Sequence, residues 1–153
     1  VLDAVEMAND RQKERLFEKL QAAAGGDVKG LRVAVWGLAF KANTDDMRES
    51  PSLVLIERLL ASGATVVAHD PAAMEEAHRR LGDRVGYAET NYEALKDADA
   101  LVVVTDWNEY RHPDFNRIKT TMRRPIVIDG RNLYEPTKMR ALGFTYTSVG
   151  RQR

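Results

Sequence analysis

The chain has no cysteine, which excludes a disulfide framework and leaves no thiol to act as a nucleophile. Histidine is scarce. His69, His78 and His112 are the full set, and their spacing fits no metal-ligand pattern. No apolar run approaches the roughly 20 residues needed to span a bilayer. The N-terminus lacks the basic-then-apolar pattern of a secretory signal. Neither sign of charge is in excess: 23 Lys and Arg balance 23 Asp and Glu, so no global field favours nucleic acid or an anionic membrane. Together these absences lead us to expect a cytoplasmic protein with no nucleic-acid or membrane partner and no metal site.

What is present suits one folded domain. The 153 residues are 44% hydrophobic and 30% charged, a balance that supports a real core under a charged surface. Residues 3–23 read as a helix, with Asp3 as N-cap and Leu2, Val5, Leu16 and Leu20 on its apolar face. Asn9 to Arg15 is strongly polar, and Ala22-Ala-Ala-Gly-Gly-Asp27 ends the helix and reads as a linker. We therefore place a boundary after residue 26, with residues 1–26 standing apart from a domain over 27–153.

From Leu31 onward strands and helices alternate. Strands are expected at Leu31–Trp36, Thr65–His69, Val85–Ala88, Ala100–Thr105, Pro125–Asp129 and Phe144–Ser148. Helices are expected at Pro51–Ser62, capped by Ser50 and closed by Gly63, and at Ala72–Leu81, Tyr92–Lys96, 113–121 and Pro136–Leu142. Ala100–Thr105 is almost wholly valine and leucine, as a strand buried on both faces should be. The fold class is α/β: an open, mostly parallel, Rossmann-like sheet with helices on both faces and one helix before it.

In such a sheet ligands bind outside the carboxyl ends of the strands, near the point where strand order reverses. With an order 3-2-1-4-5, Lys41, Arg48, Asp106 and Arg131 would crowd one rim, and cations there suit a phosphate or pyrophosphate. The stretch after the first strand, Gly37-Leu-Ala-Phe-Lys-Ala-Asn-Thr-Asp-Asp-Met-Arg-Glu-Ser-Pro51, is dense in charge. It is not a dinucleotide fingerprint, because the second and third glycines are missing, and no Gly-Lys-Ser/Thr makes it a P-loop. A phospho-acceptor receiver fits poorly, since the Asp45-Asp46 pair falls well past the strand and Gly130-Arg131 follows the fifth. Asp70-Pro71 reads as a turn that closes the second strand. Trp36 reads as a core aromatic, and Trp107 as a core aromatic or a pocket wall.

This stretch resembles the signature of the C-terminal domain of the UDP-glucose/GDP-mannose dehydrogenase family. Val103-Val-Thr-Asp-Trp107, Ile128-Asp-Gly-Arg-Asn132, Gly143-Phe-Thr-Tyr and Val149-Gly-Arg151 are similar to further family motifs in the same order. Asn9-Asp-Arg-Gln-Lys13 is similar to the end of the helix that joins the two halves of these enzymes. Thr44-Asp-Asp-Met-Arg48 and Thr105-Asp-Trp look most like the bacterial UDP-glucose 6-dehydrogenase branch.

The resemblance implies an enzyme that oxidises C6 of a nucleotide sugar to a carboxylate in two NAD-dependent steps, through a cysteine nucleophile. This chain has neither the cysteine nor the glycine fingerprint, so the resemblance implies a C-terminal fragment inactive alone. Its Val1 suits a truncated chain. No catalytic residue is expected within it. By position, Phe40, Lys41 and Arg131 are expected to bind the UDP-sugar, and Arg48 to reach an NAD held mainly by an N-terminal domain; Arg48 could equally pair with Asp45 or Asp46. Gly130 is expected to free the turn that aims Arg131, and Asp129 to orient backbone or Arg131. The partners implied are the UDP-sugar, the N-terminal and central domains, and a second copy in a homodimer. A stand-alone nucleotide-binding or interaction module, and a dehydrogenase for another UDP- or GDP-sugar, remain the alternatives.

Overall fold

The apolar runs pair into one sheet in a computed structural model that describes residues 14–149. Its strands are β1 (Arg32–Trp36), β2 (Thr65–His69), β3 (Gly86–Tyr87), β4 (Ala100–Val103), β5 (Ile126–Asp129) and β6 (Thr145–Ser148). They lie in the order β3-β2-β1-β4-β5-β6, and every pairing is parallel. The expected order of the first five strands is thus found, with β6 added beyond β5. Strand order reverses between β1 and β4, where Val33 to Trp36 face Ala100 to Val103 in register.

Alternation along each strand sends side chains to two cores. Val33, Val35, Val66, Ala68, Val102 and Ile128 pack on one face with α1 (residues 14–23), α2 (Pro51–Ala61) and α3 (Met74–Leu81). Ala34, Trp36, Leu101, Val103 and Val127 pack on the other with α4 (Asn108–Arg111), α5 (Phe115–Thr121) and α6 (Pro136–Ala141). Each fully buried aliphatic side chain contributes about 1.5–3 kcal/mol of transfer free energy, so this two-faced burial is what holds the sheet.

Several expected elements are shortened for identifiable reasons. The helix expected from Ala72 begins at Met74, because Asp70 Oδ1 accepts the amides of Ala72 and Ala73 and holds them in a turn. The third strand keeps only its two residues paired to β2. Tyr92–Lys96 forms a single 3-10 turn at Glu93–Leu95. The helix expected over 113–121 starts at Phe115, capped by Asp114, whose carboxylate accepts the amide of Arg117. The sequence pattern does not announce α4. Pro51 opens α2 as expected, and Ser50 caps it by accepting the amide of Ser52.

The first helix does not stand apart. Leu16, Phe17 and Leu20 are buried in the same core as α2, and Arg58 of α2 lies over the Phe17 ring. Asp3, Leu2, Val5, the Asn9–Lys13 motif and Gly150-Arg151 lie outside the described residues. Among the described residues no helix is long and apolar enough to cross a membrane.

Candidate functional site at the carboxyl edge of the sheet

The loop after β1 leaves the sheet at the reversal point, and Gly37 is what permits it. Its φ is +101°, and a β-carbon there would come 2.4 Å from Thr105 Cβ and 2.6 Å from Thr105 N. Thr105 also donates its hydroxyl to the Ala39 carbonyl at 2.6 Å. The β1 and β4 ends are therefore locked against each other through one glycine and one threonine.

The next residues are fixed from two further sides. Asp70, 1% exposed, accepts the amides of Leu38 at 2.7 Å and Ala39 at 3.1 Å with Oδ2. The same oxygen accepts Trp107 Nε1 at 3.2 Å. The Leu38 carbonyl accepts the hydroxyls of Ser50 at 2.8 Å and Ser52 at 2.6 Å. Met47 is fully buried and anchors the far limb of the loop, and the Phe40 amide donates to the Asp46 carbonyl at 3.0 Å.

These contacts decide what the loop can bind. The glycine-fingerprint mode uses backbone N–H groups after the first strand to hold pyrophosphate. Here Asp70 already satisfies the N–H groups of Leu38 and Ala39. The loop after β1 therefore does not fit a dinucleotide in that manner, in line with the missing glycines. Among the described residues no group of three or more His, Asp or Glu side chains is placed to hold a metal.

What the loop presents to solvent is its tip. Phe40 is 37% exposed, and it is the exposed large hydrophobic of the described residues. Lys41 Nζ lies 5.3 Å from the centre of its ring. Arg48 pairs with Asp46 through both carboxylate oxygens, and that pairing holds the Asp46 carboxyl down at about 2.

A second cluster forms where β4 and β5 end. Asp106 Oδ2 receives Arg131 at 3.4 Å and Arg111 at 3.2 Å. Asp129 is fully buried; Oδ1 accepts the Arg131 amide at 3.0 Å, and Oδ2 accepts Leu133 N, Tyr134 N and the Tyr146 hydroxyl. The carboxylate orients the backbone that carries Arg131, one of the two roles expected of it. Gly130 acts differently from expectation. Its φ is not in the left-handed region; it is needed because a β-carbon would come 2.6 Å from the Val103 carbonyl and 3.0 Å from Leu16 of α1.

The structure thus brings together Phe40 with Lys41, Arg131 with Asp106, and Arg48 with Asp46. Within the expected rim, Arg48 pairs with Asp46 and Arg131 with Asp106. Trp107 is half-buried and bonded to Asp70, not a core aromatic, whereas Trp36 is fully buried and stacked 4.9 Å from the Tyr110 ring. The hub role of Asp70 escaped the sequence. Its Asp-Pro turn was visible, but the amides it holds at Leu38 and Ala39 come from another strand end.

Comparison with known proteins supplies a context for this geometry. A profile of the UDP-glucose/GDP-mannose dehydrogenase family, UDP binding domain, matches residues 34–136. The chain is 50% identical to a UDP-glucose 6-dehydrogenase of Pseudomonas aeruginosa, across 100% of this chain and 35% of that protein. It is 47% identical to one of Rhizobium meliloti, across 94% of this chain and 32% of that protein. A UDP-glucose dehydrogenase structure from Pyrobaculum islandicum superposes with a TM-score of 0.77 at 34% identity, covering 95% of this chain and 30% of that one. The chain therefore spans about a third of the length of the relatives it matches.

Proposed function

Because the chain belongs to the UDP-glucose/GDP-mannose dehydrogenase family, we propose that it is the UDP-sugar-binding C-terminal portion of an NAD-dependent UDP-glucose 6-dehydrogenase. In this reading Phe40, Lys41 and Arg131 hold the nucleotide sugar, and Arg48 faces a cofactor seated mostly on a preceding domain. NAD supplies the hydride acceptor. The residues of this chain bind and orient the substrate and close one side of an interdomain cleft. The chain is inactive alone, since it contributes no nucleophile. The intact enzyme is a cytoplasmic homodimer.

The observation that carries the reading is the tip of the signature loop. Its backbone is locked by Asp70, Thr105, Ser50 and Ser52. Yet it offers an exposed aromatic ring with an ammonium beside it. A rigid platform with an apolar face and a cation suits a ligand that is part ring and part phosphate.

Isothermal titration of the chain with UDP and with UDP-glucose tests it. Both bind, and Lys41→Ala or Arg131→Ala weakens each by about tenfold, the loss of one charge-assisted hydrogen bond. No binding heat with either ligand sinks the reading, and unchanged affinity in both variants sinks the site.

A further inference from the structure

The salt bridge in the signature loop uses only one edge of its arginine. Asp46 Oδ1 accepts Arg48 Nε at 3.0 Å and the Arg48 amide at 2.9 Å, and Oδ2 accepts Nη2 at 2.9 Å. A guanidinium carries five N–H donors in a planar fork. The carboxylate consumes the Nε/Nη2 edge. Both protons on Nη1 and the second on Nη2 remain, and no hydrogen bond from them is found among the described residues. The Nη1/Nη2 edge is itself a fork of the width that grips two oxygens of one phosphate.

Asp46 is well placed to aim that fork. Its amide donates to Thr44 Oγ1 at 3.2 Å, its carbonyl accepts from Phe40, and its neighbour Met47 is anchored in the core. The Arg48 side chain, by contrast, is 80% exposed, and among the described residues its guanidinium is bonded to Asp46. An exposed ion pair adds little to stability, so orientation is the effect that such a pair can supply. The loop also borders a cleft of about 440 Å³ whose opposite wall is Glu76 and Arg80 of α3. Arg80 is paired there with Glu76 at 3.6 Å, and Asp45 lines the same cleft.

We propose that Asp46 is the positioning residue for Arg48, taking its Nε/Nη2 edge so that the Nη1/Nη2 edge is presented to a phosphate of the dinucleotide cofactor. This rests on the reading of Arg48 given above. Because Asp46 neutralises the arginine, what Arg48 contributes is direction and hydrogen bonds more than net charge. One phosphate contact of this kind is compatible with a β1 loop that cannot cradle the whole pyrophosphate.

The test is equilibrium binding of NAD to the full-length dehydrogenase, by calorimetry, with UDP-glucose binding measured in parallel. Asp46→Asn weakens NAD about three- to tenfold, the effect of freeing one long side chain that must then be ordered on binding. UDP-glucose affinity and melting temperature stay at the parent values, and Asp46→Glu recovers part of the NAD affinity. Wild-type or tighter NAD binding by Asp46→Asn, alongside weakened binding by Arg48→Ala, overturns the inference and leaves the reading of Arg48 intact. Unchanged NAD binding by Arg48→Ala overturns that reading and the inference with it. Equal loss of both ligands with a lowered melting temperature in Asp46→Asn assigns Asp46 a structural role and overturns the inference.

Discussion

Asp70 Oδ2 accepts the Leu38 amide at 2.7 Å, joining the end of β2 to the first turn of the signature loop across 32 positions of sequence. The carboxylate lies in a buried position, and four backbone N–H groups and the Trp107 indole converge on it. Asp70 has taken up the Leu38 and Ala39 amides that the fingerprint mode would offer to a ligand, and the loop presents side chains instead.

Replacing Asp70 by Asn puts an NH2 group against N–H donors and leaves some of them buried without an acceptor. Each such group costs about 1–3 kcal/mol. We expect Asp70→Asn to lose about 2–4 kcal/mol of stability, read from urea unfolding midpoints. A loss too small to measure would show that the loop finds other acceptors.

Gly37 faces a double penalty on substitution. Alanine there must adopt a φ of +101° and place its β-carbon 2.4 Å from Thr105 Cβ. Gly37→Ala should cost more than about 2 kcal/mol. Adding Thr105→Ala should not rescue it, because the Thr105 amide nitrogen, 2.6 Å from that β-carbon, and Thr105 Cβ itself both remain. The same double variant loses the Thr105–Ala39 hydrogen bond. Recovery of the parent's unfolding midpoint in the double variant would refute the steric account.

The sheet was legible in the sequence because its strands are buried on both faces and read as short apolar runs between turn residues. Ala100–Val103 and Ile126–Asp129 are the clearest cases, each buried at every position. Local chemistry was legible too: Ser50 caps α2, and Arg48 meets Asp46 two residues away. Long-range partners were not. Helix α4 has four residues and no periodic pattern, and Tyr110 is held there by stacking on Trp36 and by the Tyr134 hydroxyl on its carbonyl. The packing of α1 was hidden by its polar stretch and by Gly25-Gly26, although Leu16 and Leu20 had marked its buried face. The motif resemblance singled out Phe40, Lys41, Arg48 and Arg131 as candidates. It did not reveal that Asp70, Ser50, Ser52 and Thr105 hold the loop that carries the first three.

His69 ties stability to pH at the buried end of β2. It is 3% exposed, its Nδ1 lies 2.8 Å from the Tyr110 hydroxyl, and the Tyr110 ring meets it edge-on. Burial pushes its pKa below the ordinary 6.5, and Asp70 and Glu93 only partly offset this. The unfolded chain therefore takes up a proton near pH 6.5 that the folded chain resists. The sign follows: this histidine leaves stability intact above about pH 6.5, and stability falls as pH drops from there toward the folded pKa. Urea midpoints should decline between about pH 7.5 and 5.5, and His69→Gln, which stays neutral, should flatten that decline. Glutamine can lower the midpoint at both pH values through lost packing, so the slope between them is the quantity that decides. An unchanged slope would place the acid sensitivity in groups other than His69.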